Sequence, residues 1–522
     1  MATRKAKAGE PVAKAAPIED IDVLTYVEGA MRTYGRETNL DRAIPDFRDG
    51  LKPVHRRSLW AMAAIGLVSS TREVKAARIV GDTIGKLHPH GDTSAYGAIV
   101  TLVNSPAPAV DGVGNWGTLI DGAAAYRYTN ARFTAYGKLM FHKDYFPTVP
   151  MLPNFDKEWK EPLLIPTLLP NLLFNGASGI GVGVRTEIPA FTPSSVIKMM
   201  IRILSGEKPD PSEFASQLDF YNQYGGTVAK SKENLESITN LFSSTSGSVV
   251  WTCDLEVVEA KKQIVIKGFC PDINPTKLVE DKLKPMAEVR SVTAGDGLSY
   301  VIQVNSSLNM NEFNRVVAQI RRLTTAKVSY ECYVTQRRVR EDDPEKCETD
   351  FFCLSVPQIF VRWLRWRIQL EKDSLDYRID QTNRKIRMLD LLILACDNLK
   401  VIFDALKTKD PAAFIAKGLE ITVDEANLIL DRKVRQLSRL DASKLQAERA
   451  TLKTFLKDLK GRRSQPQQEV LDFMKRALKF FERKEIYTGT YAWIGDPKVA
   501  KTLVSGQVST EDEAEVEAED AE

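Results

Sequence analysis

A tyrosine can attack phosphorus or a carbonyl when a neighbouring charge supports its phenolate, and one stretch of this chain offers that pairing. In Asp121 to Arg132, DGAAAYRYTNAR, Arg127 stands directly before Tyr128. A free tyrosine titrates near pH ~10 and is a poor nucleophile at neutral pH without such help. Arg127 stays protonated, and its guanidinium can stabilise a phenolate or the crowded oxygens of a phosphate in transition. The same dipeptide also fits a helix end or a packed surface pair, and by itself it leaves both readings open. A Gly-rich run, Asp111-Gly112-Val113-Gly114-Asn115-Trp116-Gly117, precedes it.

Basic residues form the second group of candidates. Arg42 to Arg57 reads RAIPDFRDGLKPVHRR, and Gly85 to Asp92 reads GKLHPHGD. Three of the four histidines, His55, His88 and His90, fall inside these two segments, and His142 lies beyond. His88-Pro89-His90 has the look of a metal pair, but zinc needs further ligands at recognisable spacing and none follows, so phosphate contact is the favoured reading. Lys86 follows Gly81-x-x-x-Gly85, one residue too few for a nucleotide phosphate loop, and Leu87 replaces the hydroxyl that would bind magnesium. Gly179-Ile180-Gly181-Val182-Gly183 brings its third glycine too early for a dinucleotide fingerprint.

The elements that must position these residues can be read from periodicity. Residues 21–35 predict a short helix, with Val23, Leu24, Val27 and Met31 at helical spacing. Pro45 and the Asp49-Gly50 turn lead into a helix that starts at Pro53 and runs to Leu67, with His55, Arg56 and Arg57 in its first turns. A second helix is expected from about Glu73 to Leu87. A third follows His90-Gly91, with Asp92 or Thr93 as N-cap, and runs to about Val103. Two short helices joined by a Gly-containing turn fit a helix-turn-helix.

From about Gly206 the texture changes to alternating strands and helices. Strands are predicted at Ser248–Val258, Gln263–Phe269 and Leu298–Val304, with helices at Pro271–Pro285 and Met310–Leu323. Val356 to Leu406 reads as a long helical region with Val361, Leu364, Ile368, Leu375, Ile379, Ile386, Leu389 and Ile393 on one seam. A second run places Leu445, Leu452, Leu456 and Leu459 on one face. The two seams predict a coiled-coil pair; an intramolecular helical hairpin has the same signature.

At 522 residues and 43% apolar, the chain can support three or more domains with sizeable cores. Its six cysteines show neither a CxxC pair nor zinc spacing and read as reduced thiols of a cytosolic protein. No apolar run is long enough to span a membrane. The Ala- and Lys-rich amino terminus has no apolar core and reads as a disordered basic arm rather than a secretory signal. The net charge of +3 conceals an asymmetry: the last twelve residues carry eight acids and no base, leaving +11 on the rest. A basic body with an acidic tail fits a nucleic-acid binder, although the tail alone reads as solubilising.

The segments RAIPDFRDGLKPVHRR, GKLHPHGD, YRYTNAR and Pro170 to Gly183, PNLLFNGASGIGVG, taken in this order, resemble the breakage-reunion subunits of type IIA DNA topoisomerases. The relatives are the gyrase A subunit, its topoisomerase IV counterpart and the medium subunit of tailed-phage topoisomerases. The resemblance covers about residues 30 to 490. It implies an α+β multidomain fold: a disordered arm at 1–20, a winged-helix DNA-gate domain at 21–160 and an α+β tower domain at 161–345. A coiled-coil and helical exit-gate dimer domain at 346–490 and a C-terminal segment with the acidic tail at 491–522 follow. Ala426 to Leu440 resembles the family segment at the tip of the coil, where two subunits meet.

The resemblance further implies that Tyr128 forms a transient 5′-phosphotyrosyl bond, with Arg127 stabilising the phosphate oxygens. Arg42, Lys52, His55, Arg56, Arg57, Lys86, His88 and His90 match positions on DNA, and Ile180 matches a residue that wedges between base pairs. Thr93 and Gly97 stand where bacterial relatives anchor quinolones through a serine and an acid. The implied partners are double-stranded DNA, a second copy of the chain at the DNA and exit gates, and ATPase and magnesium-binding subunits that hold the ATP and most of the Mg2+ coordination. This chain is expected to bind neither alone: no ATPase phosphate motif is present, and Asp20-Ile21-Asp22 reads as capping or solvent residues. The expected place is the nucleoid of a bacterial or phage-infected cell, without membrane contact. The sequence ends soon after the coil, without a propeller, which points to a phage medium subunit; a bacterial A subunit or a non-catalytic scaffold on the same fold is the alternative. Tyr126 and Asn130 depart from the commoner bacterial residues beside the catalytic pair.

Overall fold

The computed structural model describes residues 22–295, 297–431 and 442–481. Asp20 and residues 432–440 of the expected coil-tip segment therefore lie outside the described residues. The first element is α1 (Val23–Thr38), capped by the Asp22 side chain, which accepts from the Thr25 amide at 3.1 Å. The apolar spacing that predicted this helix did not predict a buried face: Val23, Leu24, Val27 and Met31 are all exposed.

The region around the candidate residues is built from three helices and one small sheet. Pro53 opens α2 (Pro53–Ala64), as its fixed φ and missing amide favour. β1 (Val74–Lys75) then leads into α3 (Ala76–Lys86). The expected start at Glu73 is three residues early because Val74 and Lys75 pair with the strand that follows Tyr128. Next comes α4 (Asp92–Val103); its N-cap is Gly91, not Asp92 or Thr93. β2 (Val110–Val113) and β3 (Asn130–Phe133) complete an antiparallel sheet in the order β1-β3-β2. The helix pair α3–α4 and this sheet enclose a core that includes Ile79, Ile99, Trp116 and Phe133.

A charged segment, Asp46 to Leu51, runs through the middle of the molecule. Asp46 receives the Arg48 guanidinium at 2.9 and 2.7 Å and the Arg337 amide at 3.0 Å. Asp49 takes Arg56 at 2.7 and 3.0 Å and the Ile165 amide at 3.0 Å. Gly50 turns at φ 67, where a side chain would meet the Leu172 backbone at 2.6 Å. These contacts join α2 to strands and helices more than a hundred residues away, and one buried core continues from Phe47 to Phe481.

Beyond it the predicted strands are found at Ser246–Thr252, Asp254–Val258, Gln263–Gly268 and Tyr300–Val304. The helix Met310–Leu323 is fixed at its start by a reciprocal cap between Asn309 and Glu312. The expected helix at 271–285 is shorter, Pro275–Lys277 continuing as a wide π turn over Leu278–Leu283. A long helix, Val356–Asp397, lies antiparallel along Ala442–Arg463. Asp376 pairs with Arg463 at 2.6 Å and Asp390 with Arg449 at 2.5 Å, so residue order runs oppositely on the two helices. Leu364, Leu375, Ile386, Leu389, Leu445 and Leu459 of the predicted seams are buried. No described helix is long and apolar enough to cross a membrane.

Candidate functional site

Tyr128 sits on a turn gripped from behind by helix ends. The first amides of a helix have no partner within it. In α3 those of Ala76 and Ala77 donate to the carbonyls of Thr129 and Tyr126 at 2.9 and 3.2 Å. The turn thereby rests on the positive end of α3. The Gly-rich run makes room for it: Gly114 turns at φ 101 against the Tyr128 carbonyl, and a side chain at Gly117 would strike the Ala123 amide at 2.8 Å. The Tyr128 side chain is 65% exposed, and the Arg127 guanidinium lies over its ring at 4.7 Å from the centroid. Among the described residues nothing hydrogen-bonds the Tyr128 hydroxyl, so the oxygen faces outward.

The same turn is fastened to α4 by two other tyrosines. Tyr96 donates to the Ala124 carbonyl at 2.7 Å and meets Thr129 Oγ1 at 3.1 Å. Tyr126 donates to Asp92 Oδ2 at 2.9 Å, while Asp92 Oδ1 accepts from the Thr93 amide at 2.8 Å. The Tyr126 hydrogen bond and then the Thr93 amide hold the Asp92 carboxyl below its ordinary value, and Asp92 in turn raises the Tyr126 hydroxyl. Tyr96 did not stand out in the sequence, and Asp92 did so only as a candidate N-cap. Tyr126 did so only as a departure from the bacterial pattern.

The basic residues gather in two places. Arg57 closes a fork on Glu161 at 2.6 and 2.9 Å and reaches His88 Nδ1 with its third nitrogen at 3.0 Å. His88 stacks on His90 with ring centroids 4.1 Å apart. Burial, then the charges of Arg57 and His90, push His88 down to about 4. Arg42 is near enough to add to that depression, and with His90 it is exposed. Arg42, Arg57, His88 and His90 thus form one cluster.

Lys52 and His55 form the second place, beside Ile180. The Lys52 ammonium donates to the Ser178 carbonyl at 2.6 Å, and burial lowers its pKa. Burial, with Lys52 and Arg56 alongside, holds His55 at about 3, a neutral ring. Both open on a cleft of about 500 Å3 that Asn175, Glu187 and Asp272 also line. Ile180 ends the strand Ala177–Ile180, which pairs with Arg185–Ile188 as a hairpin. Asn39 clamps the tip, giving to the Val182 carbonyl at 3.0 Å and taking from its amide at 2.7 Å. The glycines around Ile180 are required by this docking: a side chain at Gly179 would collide with the Ala43 carbonyl, and one at Gly181 with the Asn39 side chain. Ile180 itself is 82% exposed and takes no part in the core.

Besides Arg57 and Lys52, Arg56 and Lys86 are also committed within the protein. Arg56 is only 2% exposed and is held by Asp49, so the expectation that it faces DNA is corrected: it is an internal strut between α2 and the Asp46–Leu51 segment. Lys86 is half-buried, pairs with Asp82 at 2.6 Å and covers the Trp159 ring at 4.6 Å. The structural partners Asp49 and Glu161 were missed; Asp49 lay in plain view, seven residues before Arg56 in the same motif. Thr93 and Gly97 are both exposed, one turn apart on α4. Among the described residues no group of three or more His, Cys, Asp or Glu side chains is gathered as a metal site requires, and Asp22 is used in capping α1.

Comparison with known proteins identifies the family. Residues 42–479 match the family model for the A subunits of DNA gyrase/topoisomerase IV. The chain is 30% identical over 452 residues to the DNA topoisomerase 4 A subunit of Pseudomonas aeruginosa, covering 83% of this chain and 58% of that one. It is 30% identical over 466 residues to the DNA gyrase A subunit of Helicobacter pylori, covering 85% of this chain and 54% of the relative. The chloroplastic/mitochondrial DNA gyrase A subunit of Nicotiana benthamiana is 29% identical over 482 residues, 88% of this chain and 49% of that one. The chain spans about half the length of the curated relatives it matches.

Proposed function

This chain belongs to the family of DNA gyrase/topoisomerase IV A subunits, and on that premise we propose that it is the DNA-cleaving and rejoining component of an ATP-dependent type IIA topoisomerase. The observation that carries the proposal is the outward-facing Tyr128 under the Arg127 guanidinium, on a turn seated against the amino end of α3. The Tyr128 oxygen attacks a backbone phosphorus; the bond to the 3′ oxygen breaks, and the proton lost by the phenol is balanced by protonation of that oxygen. A 5′-phosphotyrosine and a free 3′-hydroxyl result. Because the ester keeps the bond energy, resealing is the same step reversed.

Each group in the site has a part that its surroundings fit. Arg127 stabilises the equatorial phosphate oxygens. Arg42 and His90, both exposed, offer donors to the backbone on either side, with the buried, neutral His88 stacked beneath His90, giving affinity and register without reading sequence. Ile180, at a hairpin tip beside Lys52, is placed to press between base pairs and favour a bent duplex. Mg2+, when supplied by a partner subunit, would offset charge at the scissile phosphate.

The wider reading follows the same premise. Two copies cut opposite strands and meet at a winged-helix gate and at an exit gate beyond the antiparallel helices, with a tower domain between. A separate ATPase and magnesium-binding subunit completes the enzyme. Within this reading we place the chain beside the medium subunits of tailed-phage topoisomerases, whose motif order it resembles. The test is Tyr128→Phe assayed with partner subunits and end-labelled DNA, the adduct being trapped with denaturant. Label is expected on the wild-type chain only, with DNA affinity within two-fold on the scale of one lost exposed hydroxyl. A persistent adduct in the variant would assign the nucleophile elsewhere.

A further inference from the structure

Tyr128 makes no hydrogen bond through its own hydroxyl among the described residues, so its position is inherited from the turn that carries it. Two residues earlier, Tyr126 is held at both ends. Its carbonyl accepts the Ala77 amide of α3 at 3.2 Å, and its hydroxyl donates to Asp92 on the first turn of α4 at 2.9 Å. Between these ends its ring stands edge-on to Tyr96, with centroids 5.7 Å apart. The residue therefore bridges the two helices that define the site, its backbone meeting α3 and its side chain α4. Asp92 is fixed in turn, since its other oxygen holds the Thr93 amide at 2.8 Å.

We propose that Tyr126 and Asp92 form a latch that sets the Arg127–Tyr128 pair against α4, making both positioning residues for DNA cleavage. The inference rests on the Tyr128 reading above. A hydrogen bond to a carboxylate is roughly twice as strong as a neutral one. Reaction in line at phosphorus tolerates little displacement of the nucleophile. Tyr96, by contrast, is buried and bonds the Ala124 carbonyl and Thr129 inside the fold, so it is a support whose loss would disturb folding. Tyr126 is half-buried, and its hydroxyl can be removed without opening the core.

The experiment uses the full-length chain with its partner subunits and measures two quantities for each variant: DNA affinity, and the rate of covalent adduct formation at saturating DNA. Tyr126→Phe is expected to slow adduct formation about ten-fold, with affinity within two-fold and an unchanged thermal midpoint. Asp92→Ala, which also releases the Thr93 amide at the start of α4, should slow it at least as much and lower the midpoint slightly. The double variant should be no slower than Asp92→Ala alone, because the bond that Tyr126→Phe removes is already gone. Asp92→Asn keeps an acceptor oxygen and should recover most of the rate. Wild-type rates in Tyr126→Phe, or losses that multiply in the double variant, would overturn the latch while leaving Tyr128 as nucleophile. Absence of any adduct on wild-type Tyr128 would remove the functional reading itself, and the latch with it.

Discussion

Arg57 donates from Nη1 to Nδ1 of His88 at 3.0 Å, so His88 is the tautomer that carries its proton on Nε2. The arginine cannot give up its proton, and a protonated His88 would face it with a second N–H. With burial as the larger cause, this holds His88 at about 4, below an unfolded value near 6.5. The folded protein therefore binds fewer protons than the unfolded chain across that interval. The stability His88 contributes is complete above pH ~6.5 and is lost as pH falls toward 4, on the order of 3 kcal/mol at the lower limit. His55, held at about 3, acts in the same direction. Urea midpoints measured between pH 7.5 and about 4.5 should fall on acidification, and His88→Gln should flatten part of the slope. A flat profile down to pH ~5 would contradict the neutral assignment.

The internal Arg56 and the exposed Arg42 can be separated by stability and binding. Arg56→Met strands the buried Asp49 carboxylate and is expected to cost about 3–5 kcal/mol. DNA affinity of the molecules that remain folded should change little. Arg42→Met, at an exposed site in the neighbouring cluster, should leave stability within about 0.5 kcal/mol. It should weaken DNA binding and lower the dependence of log affinity on log salt by about one. Denaturation and binding titrations over a salt series decide both; a salt slope altered by Arg56 and not by Arg42 would reverse the assignment.

What the sequence revealed and concealed follows from the range of the forces involved. The Met310–Leu323 helix was legible because Asn309 and Glu312 cap it locally, and Pro53 marked the start of α2 for the same reason. The seam residues of the long helices were legible from period alone. That the Asp46–Leu51 segment is committed to the interior was not legible, because a run of charges looks solvent-exposed until its partners are known. Those partners, Ile165 and Arg337, lie 116 and 291 residues away. The Arg127–Tyr128 pair was visible as a motif, whereas the Tyr126–Asp92 bond across 34 residues had no signature in spacing. The stripe on α1 showed a helix but could not show that its apolar residues stay uncovered in this chain.

Gly97 offers a test of the drug-site alignment. It lies one turn after Thr93 on the exposed face of α4, and a side chain there meets nothing within 4 Å. Gly97→Asp or Gly97→Glu should therefore fold normally, and replacing an interior helical glycine should raise stability by a few tenths of a kcal/mol. With a hydroxyl at Thr93 and an acid one turn on, quinolone-trapped cleavage is expected to rise several-fold in assays containing the partner subunits. Unchanged trapping would mean that these two positions do not form the anchor.

Ile180 and Ile188 occupy opposite situations in one hairpin, and that contrast makes the wedge testable. Ile188 is buried, and truncating it to alanine should cost about 2–5 kcal/mol through the cavity left behind. Ile180 projects from the tip with no core to lose, so Ile180→Ala should change stability by less than about 0.5 kcal/mol. The hairpin itself survives, because Asn39 binds the Val182 backbone and not the isoleucine side chain. Any loss of DNA bending can then be assigned to the missing wedge. Resonance energy transfer between dyes at the two ends of a short duplex should report a smaller bend with Ile180→Ala than with wild type at saturating protein. Cleavage should fall with it, since an apolar wedge offsets the cost of unstacking that the bent duplex requires. An unchanged transfer efficiency with unchanged cleavage would show that Ile180, however exposed, does not enter the base stack.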